Sequence, residues 1–214
     1  EKYDYIYGAV GIHPECAADL PENWLQKVES LLSHPKVVAV GEIGLDYHFK
    51  ENAPRQTQQE AFAAQLELAA AYDLPVIVHD RDAHADTLTL LQKYKPRGVL
   101  HCFSGSVEMA REIYRLGMSV SLGGVVTFKN ARHSVEVVKD APLDRLLLET
   151  DAPYLAPVPF RGKRCDSSMI LYSAEKMAQL RRMPVEALLA ATAENACAMY
   201  GIDPKLLKGK EATP

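Results

Sequence analysis

The sequence predicts an α/β fold of the TIM-type (β/α) barrel kind, incomplete, with about six of the eight strand–helix units of a closed barrel. Three observations carry that expectation. Short apolar runs alternate with longer helix-like segments along all 214 residues. The runs are apolar throughout rather than alternating, which implies burial on both faces and therefore a parallel sheet covered by helices. Glu42, His79, His101 and Asp151 each stand at or just past the end of a separate run, the rim on which strand ends of a barrel converge. An open doubly wound sheet shares the strand–helix order, but no Gly-rich nucleotide loop follows an early strand.

The elements follow in order. Tyr5 to Ile12 reads as the first strand, ending at Gly11-Ile12-His13-Pro14. Trp24, Val28, Leu31 and Leu32 then recur at helical spacing. Val37 to Glu42 is too short and too β-branched for a helix. Arg55 to Tyr72 is rich in Gln, Ala, Glu and Leu, all good helix formers, and Pro75 bars its continuation. Val76 to Asp80 is a strand, followed by a helix through Leu88, Leu90 and Leu91. Gly98 to Phe103 is the next strand, and Met109 to Leu116 a helix with Gly117 as its C-cap. Ser119 to Leu122 and Arg145 to Thr150 complete the strands, and helices around Ala174 to Arg181 and Val185 to Tyr200 close the chain. No linker or low-complexity tract interrupts this series, so residues 1–214 are expected to form a single domain.

Composition narrows the function classes. Hydrophobic content of 48% and charged content of 24% are those of an ordinary soluble globular protein. No apolar run approaches the roughly 20 residues needed to span a bilayer, and no secretion signal is visible at the start. Cys16, Cys102, Cys165 and Cys197 are widely spread without a C-x-x-C pair, which reads as reduced thiols in a cytoplasmic protein. A formal net charge of −4 argues against coating nucleic acid by electrostatics alone. It leaves room for an enzyme that needs only a few local cations at one phosphate.

Imidazole plus carboxylate suits zinc, manganese or a similar divalent ion, and hard oxygen ligands widen the choice to magnesium. A carboxylate such as Glu42 can bridge two ions about 3.5–4 Å apart. Asp151 can bind metal while accepting a proton from an attacking water. Each residue also has a plainer reading. A lone strand-end His79 is more often a satisfied polar side chain, Glu42 can pair with a cation across the rim, and Asp151 before Ala152-Pro153 can be a turn aspartate. Together these would need four independent coincidences at equivalent places.

Five segments resemble the successive motifs of TatD-type deoxyribonucleases. They are Gly11-Ile12-His13-Pro14, Gly41-Glu42-Ile43-Gly44-Leu45-Asp46-Tyr47, Pro75 to Arg81, His101-Cys102-Phe103-Ser104-Gly105 and Glu149 to Leu155. One such segment is weak, but five in order over nearly the whole chain are specific. The resemblance implies a barrel of the amidohydrolase superfamily that hydrolyses DNA phosphodiesters with one or two divalent metal ions (Mg, Mn or Zn), often as a 3′ exonuclease. It implies Glu42, His79, His101 and Asp151 as metal ligands, with Asp151 and Glu42 catalytic and Asp151 the base. The expected partner is DNA, at single-stranded ends, with no membrane and no obligate protein partner.

Two departures from the family pattern qualify this. The family opens with a strand carrying a His-x-His pair of further ligands, and this sequence has none. With six strand candidates, the simplest explanation is an N-terminally truncated sequence. After Pro157 to Arg164 the family commonly continues with Asn, an acidic residue and Pro, where Cys165-Asp166-Ser167-Ser168 stands here. Arg161, Lys163 and Arg164 form a basic loop expected to bind phosphates, although any one of them is as readily a solvated charge. His13 and Tyr154 are further substrate-contact candidates, with Arg81, Ser104 and Lys129 weaker ones. Alternatives are hydrolysis of an amide, lactone or small phosphoester on the same fold, and a non-catalytic remnant that binds metal or nucleic acid without turnover.

Overall fold

Every apolar run becomes a strand, and every strand pairs in parallel with the next one along the chain, in the order β1-β2-β3-β4-β5-β6. The computed structural model describes Tyr3 and residues 5–207, so residues 1, 2, 4 and 208–214 of the 1–214 span lie outside the described residues. The strands are β1 (Gly8–Val10), β2 (Val37–Asp46), β3 (Val76–Arg81), β4 (Gly98–Leu100), β5 (Ser119–Leu122) and β6 (Leu146–Leu148). The helices are α1 (Trp24–Leu32), α2 (Arg55–Ala71), α3 (His84–Tyr94), α4 (Val107–Arg115), α5 (Arg132–Asp140), α6 (Ile170–Arg181) and α7 (Val185–Tyr200). A doubly wound sheet reverses its order at a switch point. This one does not, so it is a sector of a barrel wall, open at β1 and β6 among the described residues.

Burial explains the pattern. Val40, Ile43, Leu45, Val76, Val78, Leu100, Val120 and Leu146 of the strands pack with Phe62, Leu66, Leu91, Ile113, Met177 and Leu188 of the helices in one apolar cluster. Each such side chain contributes about 1.5–3 kcal/mol on leaving water. Ser106 caps α4 by accepting from the Met109 N–H at 3.3 Å. Gly117, at φ +81°, follows α4 in the left-handed conformation its position past the helix end requires.

Several boundaries move for identifiable reasons. β1 is shorter than Tyr5 to Ile12, and Tyr5 and Ile6 are exposed instead of packed. β2 runs four residues beyond Glu42, because Leu45 and Asp46 continue to pair with Asp80 and Arg81 after the apolar run ends. β4 stops at Leu100, which leaves His101, Cys102 and Phe103 in the loop beyond it. β6 is likewise confined to Leu146–Leu148, and α6 begins at Ile170, four residues ahead of Ala174. The sequence reading assigns nothing to α5. Its valines disfavour a helix on propensity, but Val137 and Val138 are fully buried in the core, and packing overrides propensity.

Candidate metal centre

β2 and β3 deliver the first two side chains. Gly41 pairs with Ile77 and Ile43 with Val78, so Glu42 is an extra residue bulged out of the ladder. Bulges re-aim a side chain beside a site, and Glu42 keeps 41% of its side chain exposed between buried neighbours. Gly44 pairs with His79 at φ +143°, and a Cβ there would lie 2.0 Å from the His79 carbonyl oxygen. Only glycine lets the two strands approach this closely at the residue that carries the imidazole.

His101, just past β4, joins them. Its Nε2 lies 3.1 Å from Glu42 Oε2 and 3.4 Å from His79 Nδ1. His13 enters from the loop after β1, with its Nε2 3.8 Å from Glu42 Oε2 and its ring edge-on to His79 at 4.4 Å between centroids. His13, Glu42 and His79 each offer one donor atom within 4.8 Å of one another, a group able to hold a metal ion. The Glu15 N–H donates to His13 Nδ1 at 3.3 Å.

The charges fit a divalent cation. The hydrogen bond from His101 holds the Glu42 carboxyl below its ordinary range despite burial, so it is ionised. Burial, reinforced by the adjacent His13, lowers the pKa of His79 and keeps that ring neutral with a free lone pair. Burial opposes protonation of His101, but pairing with Glu149 and Glu42 prevails and pushes its pKa up to about 10. Glu149 Oε2 stands 3.7 Å from His101 Nδ1. The proton on His101 supplies the positive charge that a cluster of carboxylates demands, the same demand that a cation meets.

Glu149, the first residue after β6, has no role in the sequence reading, although it lies in the segment Glu149 to Leu155. It accepts from the Cys102 N–H at 2.7 Å and from the Ser121 hydroxyl. Cys102 holds the left-handed φ of +44° that turns its N–H to this carboxylate. Burial, then Glu149 and other carboxylates, pushes the Cys102 thiol far above its usual range, so it is no thiolate nucleophile. Asp46 and Gln58 are the other missed residues. Both are buried: Asp46 Oδ2 lies 3.0 Å from His79 Nε2, and Gln58 Nε2 donates to the Asp46 carbonyl at 2.9 Å.

Asp151 follows β6 on the same rim and interacts electrostatically with His101, Glu149 and Glu42. Burial raises its pKa, His101 opposes this, and the two glutamates add to it. Neither Asp151 nor His101 is in the three-residue donor group, whereas His13, read from sequence as a substrate contact, is. Beside Asp151 opens a cavity of about 520 Å³ lined by Ala152, Pro153, Arg164, Cys165, Asp166 and Ser167, with none of the imidazoles in its wall. Arg161 lies over the Phe128 ring at 4.1 Å and Lys163 over Phe160 at 5.8 Å. Arg81 lies over Phe49 at 4.9 Å and interacts with Asp151. Tyr154 is 70% exposed, its N–H bonded to Asp151 O at 2.6 Å. Ser104 and Lys129 are exposed.

An incomplete (β/α) barrel with a His/Glu donor group on its rim defines the class: metal-dependent hydrolases. A family model described as "TatD related DNase" matches residues 1–201. The uncharacterized metal-dependent hydrolase YabD of Bacillus subtilis is 47% identical over 95% of this chain and 80% of its own length. The human 3'-5' RNA nuclease TATDN2 is 34% identical over 94% of this chain and 28% of its own length. The crystal structure of YJJV, a TatD homologue from Escherichia coli, superposes with a TM-score of 0.88 at 32% identity, covering 94% of this chain and 79% of that one. The chain belongs to the TatD family.

Proposed function

We propose that residues 1–214 are one hydrolase domain that cleaves phosphodiester bonds of DNA at single-stranded ends, as a 3′ exonuclease working in the cytoplasm. The observation that carries the reading is the meeting of Glu42 of β2, His79 of β3 and His101 just past β4, at contact distances of 3.1 and 3.4 Å. Glu42, His79, His101 and Asp151 would hold one or two ions of Mg, Mn or Zn, with His13 beside them. When bound, such an ion polarises a phosphoryl oxygen and makes a water more acidic. The protein's own groups do the rest. Asp151, made more basic by its partly buried and acidic surroundings, accepts the proton of the attacking water. Arg164 at the cavity wall, with Arg161 and Lys163 on the same loop, engages phosphates on either side of the scissile bond. Arg81 stands near Asp151 to orient the phosphate, and exposed Tyr154 offers a face on which a base can stack. His13 stands with its Nε2 3.8 Å from Glu42 Oε2, within reach of an ion held there.

RNA is the second reading, favoured by the name of the human relative. A 5′-labelled single-stranded DNA oligonucleotide and its RNA counterpart, each with Mn²⁺ and with Mn²⁺ plus chelator, test both. Stepwise shortening of DNA from the 3′ end, abolished by chelator and by the double variant Glu42→Ala/His79→Ala, is the expected result. Shortening of RNA alone transfers the site to RNA. Metal-independent cleavage, or cleavage unchanged in the double variant, refutes the site. No product from either strand leaves the amide, lactone or small-phosphoester reading, or the non-catalytic remnant.

No helix among the described residues is long and apolar enough to cross a membrane.

A further inference from the structure

The imidazole of His79 is held from behind by a carboxylate that the metal reading does not use. Asp46, the last residue of β2, is fully buried, and its Oδ2 lies 3.0 Å from His79 Nε2. Its other oxygen, Oδ1, accepts from the His48 N–H at 3.0 Å. The backbone of Asp46 is gripped in turn by Gln58 of α2, itself 2% exposed. Gln58 Oε1 accepts the Asp46 N–H at 2.8 Å, and its Nε2 donates to the Asp46 and Ala53 carbonyls at 2.9 Å. Every polar atom of this buried chain is satisfied in only one arrangement. An ionised carboxylate accepts only, so neutral His79 must donate Nε2–H to it and keep its lone pair on Nδ1. That is the atom 3.4 Å from His101 Nε2, on the side where Glu42 stands.

We propose that Asp46 is a positioning residue that locks His79 in the Nε2–H tautomer and aims the Nδ1 lone pair at the cation. The proposal rests on the metal centre above for its consequence, but not for its geometry. It makes a directional prediction about Asp46→Asn, a substitution that barely changes shape. The His48 N–H still needs an acceptor, and only the amide oxygen can serve. The amide NH₂ therefore faces His79 Nε2, which must now accept. The proton moves to Nδ1 and covers the donor atom. Outer partners of this kind are worth about 10–100-fold in metal affinity.

Long-range ¹H–¹⁵N NMR of the imidazoles in chelated, metal-free protein at neutral pH reads the tautomer directly, with His79 assigned by the loss of its signals in His79→Gln. The wild-type protein should show His79 protonated on Nε2, and Asp46→Asn should show it on Nδ1. Calorimetric titration with Mn²⁺ should show a Kd about 10–100-fold weaker in Asp46→Asn. A wild-type His79 protonated on Nδ1 overturns the proposal, whether or not the variant folds. So does an unchanged tautomer in a folded Asp46→Asn, or an unchanged Kd beside a flipped one. If wild-type protein binds no Mn²⁺ yet shows the Nε2–H tautomer that flips in the variant, the metal reading fails while the lock stands.

Discussion

Asp151→Asn should lower kcat for oligonucleotide shortening by about 10²–10⁴, the range of a lost general base. Asparagine keeps the volume of aspartate and removes its charge and basic oxygen, so the fold should not report the change. Asp151 follows the end of β6, in the loop that also carries its bond to the Tyr154 N–H, and that backbone contact survives the substitution. Burial raises the pKa of this carboxyl, as do the nearby Glu149 and Glu42, while His101 pulls the other way. A carboxylate made more basic in this way is a better proton acceptor near neutral pH. The assay must be run at saturating Mn²⁺, so that any weakened ion binding by the variant is separated from loss of the base. A kcat within about twofold of wild type under those conditions would remove Asp151 from the chemistry, since a general base supplies at least 10²-fold.

Gly44→Ala should be the most destabilising single methyl addition near the site. The added Cβ meets the His79 carbonyl oxygen at 2.0 Å and the His79 carbonyl carbon and amide nitrogen at 2.9 Å, all of them backbone. Neither strand can yield without breaking the β2–β3 ladder, and φ of +143° adds strain of its own for any residue with a Cβ. Overpacking costs about 1–3 kcal/mol and the backbone strain a similar amount, so a loss of about 3 kcal/mol or more is expected. For a chain of this length that corresponds to a fall in Tm of roughly 6–12 °C. Thermal unfolding followed by circular dichroism checks it. An unchanged Tm would mean that β2 and β3 do not approach each other at His79 as described.

The strands, their parallel order and the rim position of the polar residues were legible because a doubly buried strand must be a continuous apolar run. Glu42, His79 and His101 stand where those runs end, so their meeting follows once the strands are neighbours. What the runs could not show is where pairing outlasts hydrophobicity. β2 continues past Glu42 through Gly44 to Asp46, where the polar Glu42 and the glycine at 44 interrupt the apolar run. Gln58 was invisible for a related reason. It lies in a helix of good helix formers, where a glutamine reads as a surface residue, yet it is buried against Asp46. Glu149 sits two residues before Asp151 and was overshadowed by it, although a carboxylate directly after a buried strand is itself a signal. His13, in the Gly11-Ile12-His13-Pro14 segment, counts among the substrate contacts in the sequence reading. Distance alone puts it in the donor group.

The most direct test of the central claim is anomalous diffraction at the zinc edge from crystals grown with Zn²⁺. The account predicts a peak bounded by Glu42, His79 Nδ1 and His101 Nε2, at about 2.0–2.2 Å from each donor atom. A peak elsewhere on the protein, with those three side chains still bonded to one another, would contradict it.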